Sequence, residues 1–179
     1  MIEKFKEKLS EIGFSYRGLS TKYYELHLKS NFCHTIRVIF LSSEIVDKVI
    51  HGSRNGNFIQ SIGYFKLRSL PSFSDVNYLI MAFENTLMKG IEFIIIPPGE
   101  LIRRKENLGG YQYNRRGMEF VFWLMPDRKL YETSGISPEG EWYYLSQGIN
   151  SRMADKTDWS YTMFLNNWDQ LIQNNIKHE

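Results

Sequence analysis

The sequence has little of several features that would assign it to a protein class. It contains a single cysteine, Cys33, among 179 residues, which excludes an intrachain disulfide and a multi-cysteine metal site. Scarce cysteine is typical of proteins from reducing compartments, so we expect a cytoplasmic protein. No apolar run approaches the roughly 20 residues that a transmembrane helix needs, and no membrane association is predicted. The net charge of +2 is too small to indicate a nucleic-acid partner by itself.

Sequence motifs with well-defined chemistry are also missing. Neither a glycine-rich phosphate-binding pattern nor a Gly-x-Ser-x-Gly elbow occurs. The four histidines, His27, His34, His51 and His178, contain no His-x-x-x-His pair that would bind zinc. Hydrophobic residues make up 42% of the chain and aromatic residues 15%, which favours a globular protein with a core rich in β-sheet. We therefore predict a single domain over residues 1–179.

The spacing of apolar residues predicts six elements in the first 97 residues. A helix is expected over residues 2–12 and ends at Gly13. Three strands are expected next, at residues 22–28, 35–41 and 58–67. A second helix is predicted from about residue 75 to 89, because its apolar residues fall on one helical face. These residues are Val76, Leu79, Ile80, Phe83 and Leu87. The apolar run Ile91–Ile96 predicts a strand that is buried on both faces.

The rest of the chain, from about residue 98 to 179, is predicted to be a β/α extension of this core. We expect a short helix at Pro98–Arg104 and a final helix at Tyr161–Ile172. Strands are expected at Met118–Leu124 and Trp142–Leu145.

The segment Gly63-Tyr-Phe-Lys-Leu-Arg-Ser69 ends the third predicted strand. The order α-β-β-β-α-β around it resembles the core of the restriction-endonuclease-like (PD-(D/E)xK) superfamily. The resemblance implies an α/β fold and Mg²⁺-dependent phosphodiester hydrolysis, with acids on the second and third strands and a lysine after the second acid. Here the corresponding triplet is Lys66-Leu67-Arg68, and the strand Thr35–Leu41 holds Arg37 but no acid. The active-site motif is therefore degenerate or displaced.

Three interpretations follow from this departure. The metal site is lost and the domain only binds nucleic acid or protein. Alternatively, acids that have migrated, drawn from Glu25, Glu44, Asp47 and Glu84, hold Mg²⁺ beside a catalytic Lys66. The third interpretation is that the assignment of the fold is wrong.

A second group of basic residues flanks a predicted loop that carries tyrosines. Arg103, Arg104 and Lys105 precede this loop, and Arg115 and Arg116 follow it. Together with Lys66 and Arg68, these side chains are candidates for contacts with phosphates. A solvated surface loop without a partner is the structural alternative.

These observations favour a DNA-interacting, nuclease-like protein of a restriction, mobile-element or phage-defence type. Its expected partner is double-stranded DNA, and a homodimer is a further assembly to consider. A non-enzymatic protein-interaction or immunity-type module that uses an aromatic surface is the alternative function.

Overall fold

The structure is a computed structural model that describes residues 1–29, 31–44, 61–67, 75–85, 88–107, 118–125, 127–132 and 160–176. The α-helices in these ranges are α1 (Ile2–Glu11), α2 (Pro98–Asn107) and α3 (Asp169–Ile176), with a 3-10 helix at Thr162–Phe164. The strands in the same ranges are β1 (Phe14–Gly18), β2 (Tyr23–Leu28), β3 (Asn31–Ser42), β4 (Ser61–Leu67), β5 (Tyr78–Asn85), β6 (Gly90–Ile96), β7 (Met118–Leu124) and β8 (Leu130–Glu132). The predicted α/β class is confirmed, and strands dominate.

The described strands form two sheets. The main sheet has the order β1-β2-β3-β5-β6 and the small sheet has the order β4-β7-β8. In the main sheet β3 and β5 run parallel, and the other neighbouring strands are antiparallel. The small sheet is antiparallel throughout.

The main sheet lies between the helices α1 and α3 on one face and the small sheet on the other, and α2 contributes Leu101 to the core on the small-sheet side. On one face, Val38, Ile80 and Ile95 pack with Phe5 of α1 and Leu171 of α3. On the other face, a second cluster joins the two sheets. It includes Ile39, Leu79, Phe83 and Ile94 from the main sheet and Phe65, Phe120 and Phe122 from the small sheet. Because side chains alternate along a strand, one sheet contributes to both cores.

The helix predicted for residues 75–89 is wrong. Tyr78–Asn85 is β5, an interior strand of the main sheet that pairs with both β3 and β6. Every residue of β5 except Glu84 is buried, because both faces of the strand pack in a core. A continuous apolar run of this kind is compatible with a buried strand as well as with a helix. The strand β1 was not predicted. The described elements therefore do not follow the order α-β-β-β-α-β.

The other predicted elements on described residues are confirmed, with shifts at their ends, except the final helix. The predicted helix Tyr161–Ile172 is wrong over most of its length: Thr162–Phe164 is a 3-10 helix, and α3 begins only at Asp169, because Leu165 is extended and Asn166 has a φ of 52°. The helix α1 ends at Glu11, two residues before Gly13, whose φ of 85° suits glycine. The strand Met118–Leu124 is β7, and its partners among the described strands are β4 and β8. The predicted strand Trp142–Leu145 lies outside the described residues. None of the helices in the described ranges combines the length and apolar character needed to cross a membrane.

Candidate nucleic-acid interface

A cleft of about 260 Å³ opens at the end of the main sheet where β3 stops. It is lined by the turn between β1 and β2, the end of β3, part of β4 and the start of α1. The lining residues are Ile2, Thr21, Lys22, Phe40, Leu41, Ser42, Glu44, Phe65 and Lys66. The lining therefore combines four apolar residues with two lysines, a threonine, a serine and a glutamate.

Hydrogen bonds between neighbouring segments hold the walls of the cleft. The backbone N–H of Phe40 donates to the carbonyl oxygen of Lys22 at 2.7 Å, which fixes the β1–β2 turn against β3. The N–H of Tyr64 donates to the Ser43 hydroxyl at 2.9 Å, and the N–H of Glu44 donates to the Tyr64 carbonyl at 2.9 Å. These bonds join the end of β3 to β4, so residues from both sheets reach one place.

Lys66 lies on β4 opposite Glu119 of β7 in the antiparallel register. Its Nζ is 2.9 Å from Glu119 Oε1, and 28% of its side chain is exposed. The hydrogen bond and the charge of Glu119 raise the pKa of Lys66, and the Glu44 charge contributes in the same direction. Lys66 is therefore a cation at neutral pH, and an incoming anion must compete with Glu119.

The predicted metal-binding acids that the structure describes, Glu25, Glu44 and Glu84, do not form one site. Glu44 lies in the cleft with Lys66, whereas Glu25 is paired with Arg37 at 3.4 Å on a separate part of the main sheet. The carbonyl of Glu84 accepts a hydrogen bond from Ser61, at the end of β4 opposite Lys66. Asp47 lies outside the described residues. In the described part of the chain, no three His, Cys, Asp or Glu side chains are placed to hold a metal ion.

The two predicted arginines of α2 have different environments. Arg103 is 49% exposed and forms a two-point pair with Glu100, with distances of 2.8 and 2.9 Å. Arg104 is buried: its Nε lies 2.6 Å from Glu100 Oε1 and its guanidinium donates to the Ser160 carbonyl at 2.7 Å. The bonds from Arg103, and then from Arg104, lower the pKa of Glu100 to about 2. Arg104 thus ties α2 to the C-terminal segment and does not face solvent.

The other predicted phosphate contacts cannot be placed. Arg68, Arg115 and Arg116, and the side chain of Lys105, lie outside the described residues. Sequence reasoning missed Lys22, Thr21 and Ser42, which form no motif along the chain. The pairing of β2 with β3, and the packing of β4 beside it, bring them to Lys66.

A separate polar cluster surrounds the buried Glu92 of β6. Its carboxylate accepts hydrogen bonds from Asn85 at 2.6 Å, from Arg128 at 2.9 Å and from Asn166 at 2.5 Å. Burial by itself would raise the pKa of Glu92, but the bonds from Arg128, Asn85 and Asn166 outweigh burial and the pKa is lowered. All of its close partners come from this chain, so the cluster joins three segments and is a structural feature.

Comparison of the chain with protein-family models, with curated proteins and with solved structures finds no match. The resemblance to the restriction-endonuclease-like superfamily therefore stays a prediction, and the function is argued from the chemistry of the cleft.

Proposed function

We propose that this protein binds DNA through the cleft, as a nuclease-like protein of a restriction, mobile-element or phage-defence type. The observation that supports this proposal most is the convergence of Lys22 and Lys66 in one cleft. Lysine is a common ligand of phosphate, and cationic side chains release counterions when they contact the DNA backbone.

The other polar groups of the cleft suit the same ligand. Thr21 and Ser42 are also among its lining residues, and hydroxyl groups often donate to phosphate oxygens. The Lys66–Glu119 pair lies at the surface, where such pairs contribute little to stability. A phosphate can therefore displace Glu119 from Lys66 at small cost.

The described residues do not fit a magnesium site. Mg²⁺ prefers octahedral oxygen ligands and usually uses one or two carboxylates together with substrate phosphates. Glu44 is the one candidate acid that the structure places in the cleft among the residues described. Our proposal is therefore DNA binding, and no hydrolytic step is derived. Incubation of supercoiled plasmid with Mg²⁺ or Mn²⁺ tests the cleavage that the resemblance implies, and nicking would show that further acids join Glu44.

Fluorescence anisotropy with a labelled duplex at several salt concentrations tests the proposal. We expect Lys66→Ala to weaken binding and to lower the slope of log K against log salt by about one. Glu119→Gln is expected to strengthen binding, since it removes the competing anion. Lys129→Ala is the matched control, because Lys129 is also paired, 2.8 Å from Asp127, and lies at the opposite end of the small sheet.

Two results would contradict DNA binding at the cleft. One is the absence of binding at low salt, and the other is an equal effect of Lys66→Ala and Lys129→Ala. Either result would favour the second candidate, a protein-interaction module. That candidate is supported by three exposed apolar side chains around the β1–β2 hairpin, Tyr16, Leu19 and Tyr23, with exposures of 39%, 49% and 43%.

A further inference from the structure

Half of one face of the main sheet is left open by the small sheet. The small sheet packs against β5, β6 and the C-terminal end of β3, where Ile39 and Leu41 join the shared core. No residue of β1 or β2 belongs to this shared core, and on the same face of the two strands Arg17 and Tyr23 are exposed. We call this open face the platform, and its side chains are Ser15, Arg17, Tyr23, Glu25, His27, Thr35 and Arg37.

The alternation of side chains places these residues on the platform. Phe14, Tyr24, Leu26, Ile36 and Val38 all pack toward α1 in one core cluster. Their neighbours along each strand must point to the opposite face. Tyr23 illustrates this, because it lies directly across from Ile39, which faces the small sheet.

The platform combines an aromatic ring with exposed guanidinium groups. Arg17, Glu25 and Arg37 are cross-strand partners in one row. Glu25 is 3.4 Å from Arg37 at a single point, and 53% of the Arg37 side chain is exposed. One carboxylate between two arginines leaves this row with a net positive charge. Tyr23 lies in the next row, and 43% of its surface is accessible.

The platform and the cleft are adjacent along the chain. Lys22 lines the cleft, and Tyr23 follows it as the first residue of β2. We infer that the platform binds single-stranded DNA, with a base stacked on Tyr23 and phosphates at Arg17 and Arg37. This inference rests on the proposed function, since the cleft holds the backbone that leads to the platform.

The side chains of the platform favour single-stranded over double-stranded DNA. In a duplex the faces of the bases are covered by their neighbours, so a tyrosine on a flat sheet can stack only on a base that has left the helix. Positive side chains beside an aromatic ring are the combination that sequence-tolerant single-strand binding uses.

Anisotropy with one oligonucleotide, alone and annealed to its complement, tests the inference. We expect tighter binding of the single strand, a loss of about 5- to 150-fold for Tyr23→Ala, and near-normal binding for Tyr23→Phe. The control is Tyr16→Ala, because Tyr16 is similarly exposed but lies on the α1 face of the same hairpin, edge-on to Tyr24. Circular dichroism of each variant checks that it is folded.

Photo-crosslinking supplies a readout that does not depend on affinity. A single strand that carries 5-iodouracil is expected to form an adduct at Tyr23. Two results together would contradict single-strand binding at the platform: the duplex binds at least as tightly as the single strand, and Tyr23→Ala and Tyr16→Ala have the same affinity. The proposal that DNA binds at the cleft would be unaffected. If neither form of DNA binds at low salt, the proposed function itself fails.

Discussion

At the scale of single residues, Glu92 is one of the buried charged side chains in the described part of the chain. A buried carboxylate is costly unless it is paired and hydrogen-bonded. Glu92 meets this condition through Asn85 on β5, Arg128 in the β7–β8 turn and Asn166 after the 3-10 helix. Arg128 and Asn166 have φ values of 67° and 52°, so both partners reach Glu92 from left-handed backbone positions. One carboxylate thereby fixes the edge of the main sheet to two other segments.

We expect Glu92→Gln to lower the free energy of unfolding by about 1–3 kcal/mol, because hydrogen bonds to a charged buried group are lost. The folded-state pKa of Glu92 is lowered from 4.5, so its contribution is complete above pH 4.5 and declines as the pH falls through the folded-state pKa. Urea denaturation at neutral and acidic pH measures both effects. The difference between wild type and variant should shrink in acid.

Glu119→Gln is the matched control for this prediction, since the same chemical change is made in an exposed carboxylate. Glu119 is 47% exposed in its pair with Lys66, and surface pairs contribute little. Its urea midpoint should stay close to that of the wild type. Equal losses for Glu92→Gln and Glu119→Gln would contradict the structural role of the Glu92 cluster.

Some of these residue environments can be predicted from the sequence and others cannot. Glu92 interrupts the apolar run Ile91–Ile96, so a buried and paired carboxylate could have been predicted from the pattern. Arg103 and Arg104 are adjacent and chemically identical, yet one is exposed and the other is buried. Which of them faces inward depends on the C-terminal segment that packs on α2, and no local pattern contains that information.

At the scale of elements, β4 is a strand that the sequence predicts although the sheet to which it belongs is not predicted. The prediction placed Gly63 and Lys66 on one strand, and the structure confirms this. It did not show that β4 belongs to a sheet different from that of β3. Strand pairing is decided by contacts between distant residues, as in the register of Gly63 with Phe122 and of Lys66 with Glu119.

Gly63 lies where β4 packs closely against the Phe83 side chain of the main sheet. A Cβ added there would lie 2.9 Å from the Phe65 ring and 3.0 Å from the Phe83 ring, closer than carbon atoms pack. We expect Gly63→Ala to destabilise the protein by about 1–3 kcal/mol, as overpacking of a core does. Thermal or urea denaturation followed by circular dichroism measures the change.

Gly99→Ala provides the comparison for Gly63→Ala. Gly99 lies in the first turn of α2, and a Cβ there would meet nothing within 4 Å. Alanine is favoured over glycine in a helix by up to about 1 kcal/mol, so this variant should be neutral or slightly more stable. A loss of stability at Gly99 equal to that at Gly63 would mean that close packing between the sheets is not the cause.

At the scale of the whole molecule, local sequence patterns do not predict how the helices and the two sheets pack into layers. A strand that is buried on both faces has no alternation of apolar and polar residues. The pattern of β5 therefore predicts a helix, and the predicted order of elements is wrong. The mixture of helices and strands, and the positions of β2, β3, β6 and β7, follow from local patterns. The pairing of β3 with β5 follows from none.

The arrangement of layers predicts that the protein unfolds as one unit. The main sheet contributes to both hydrophobic cores. Neither the helical layer, formed by α1 and α3, nor the small sheet should therefore stay folded when the main sheet unfolds. Two tryptophans report on different places: Trp123 packs with Met125 and Tyr131 on the small sheet, and Trp168 packs edge-on to Phe93 at 5.1 Å beside α3. Variants that retain only one tryptophan, with the others changed to phenylalanine, separate the two signals.

In each single-tryptophan variant, we expect fluorescence and far-ultraviolet circular dichroism to give the same urea midpoint and the same slope. The comparison is made within one variant, so any stability lost through the tryptophan substitutions does not affect it. A fluorescence transition of Trp168 that precedes the loss of circular dichroism would mean that the helical layer detaches first. The residues 1–179 would then not behave as a single domain, even though one sheet lies in both of its cores.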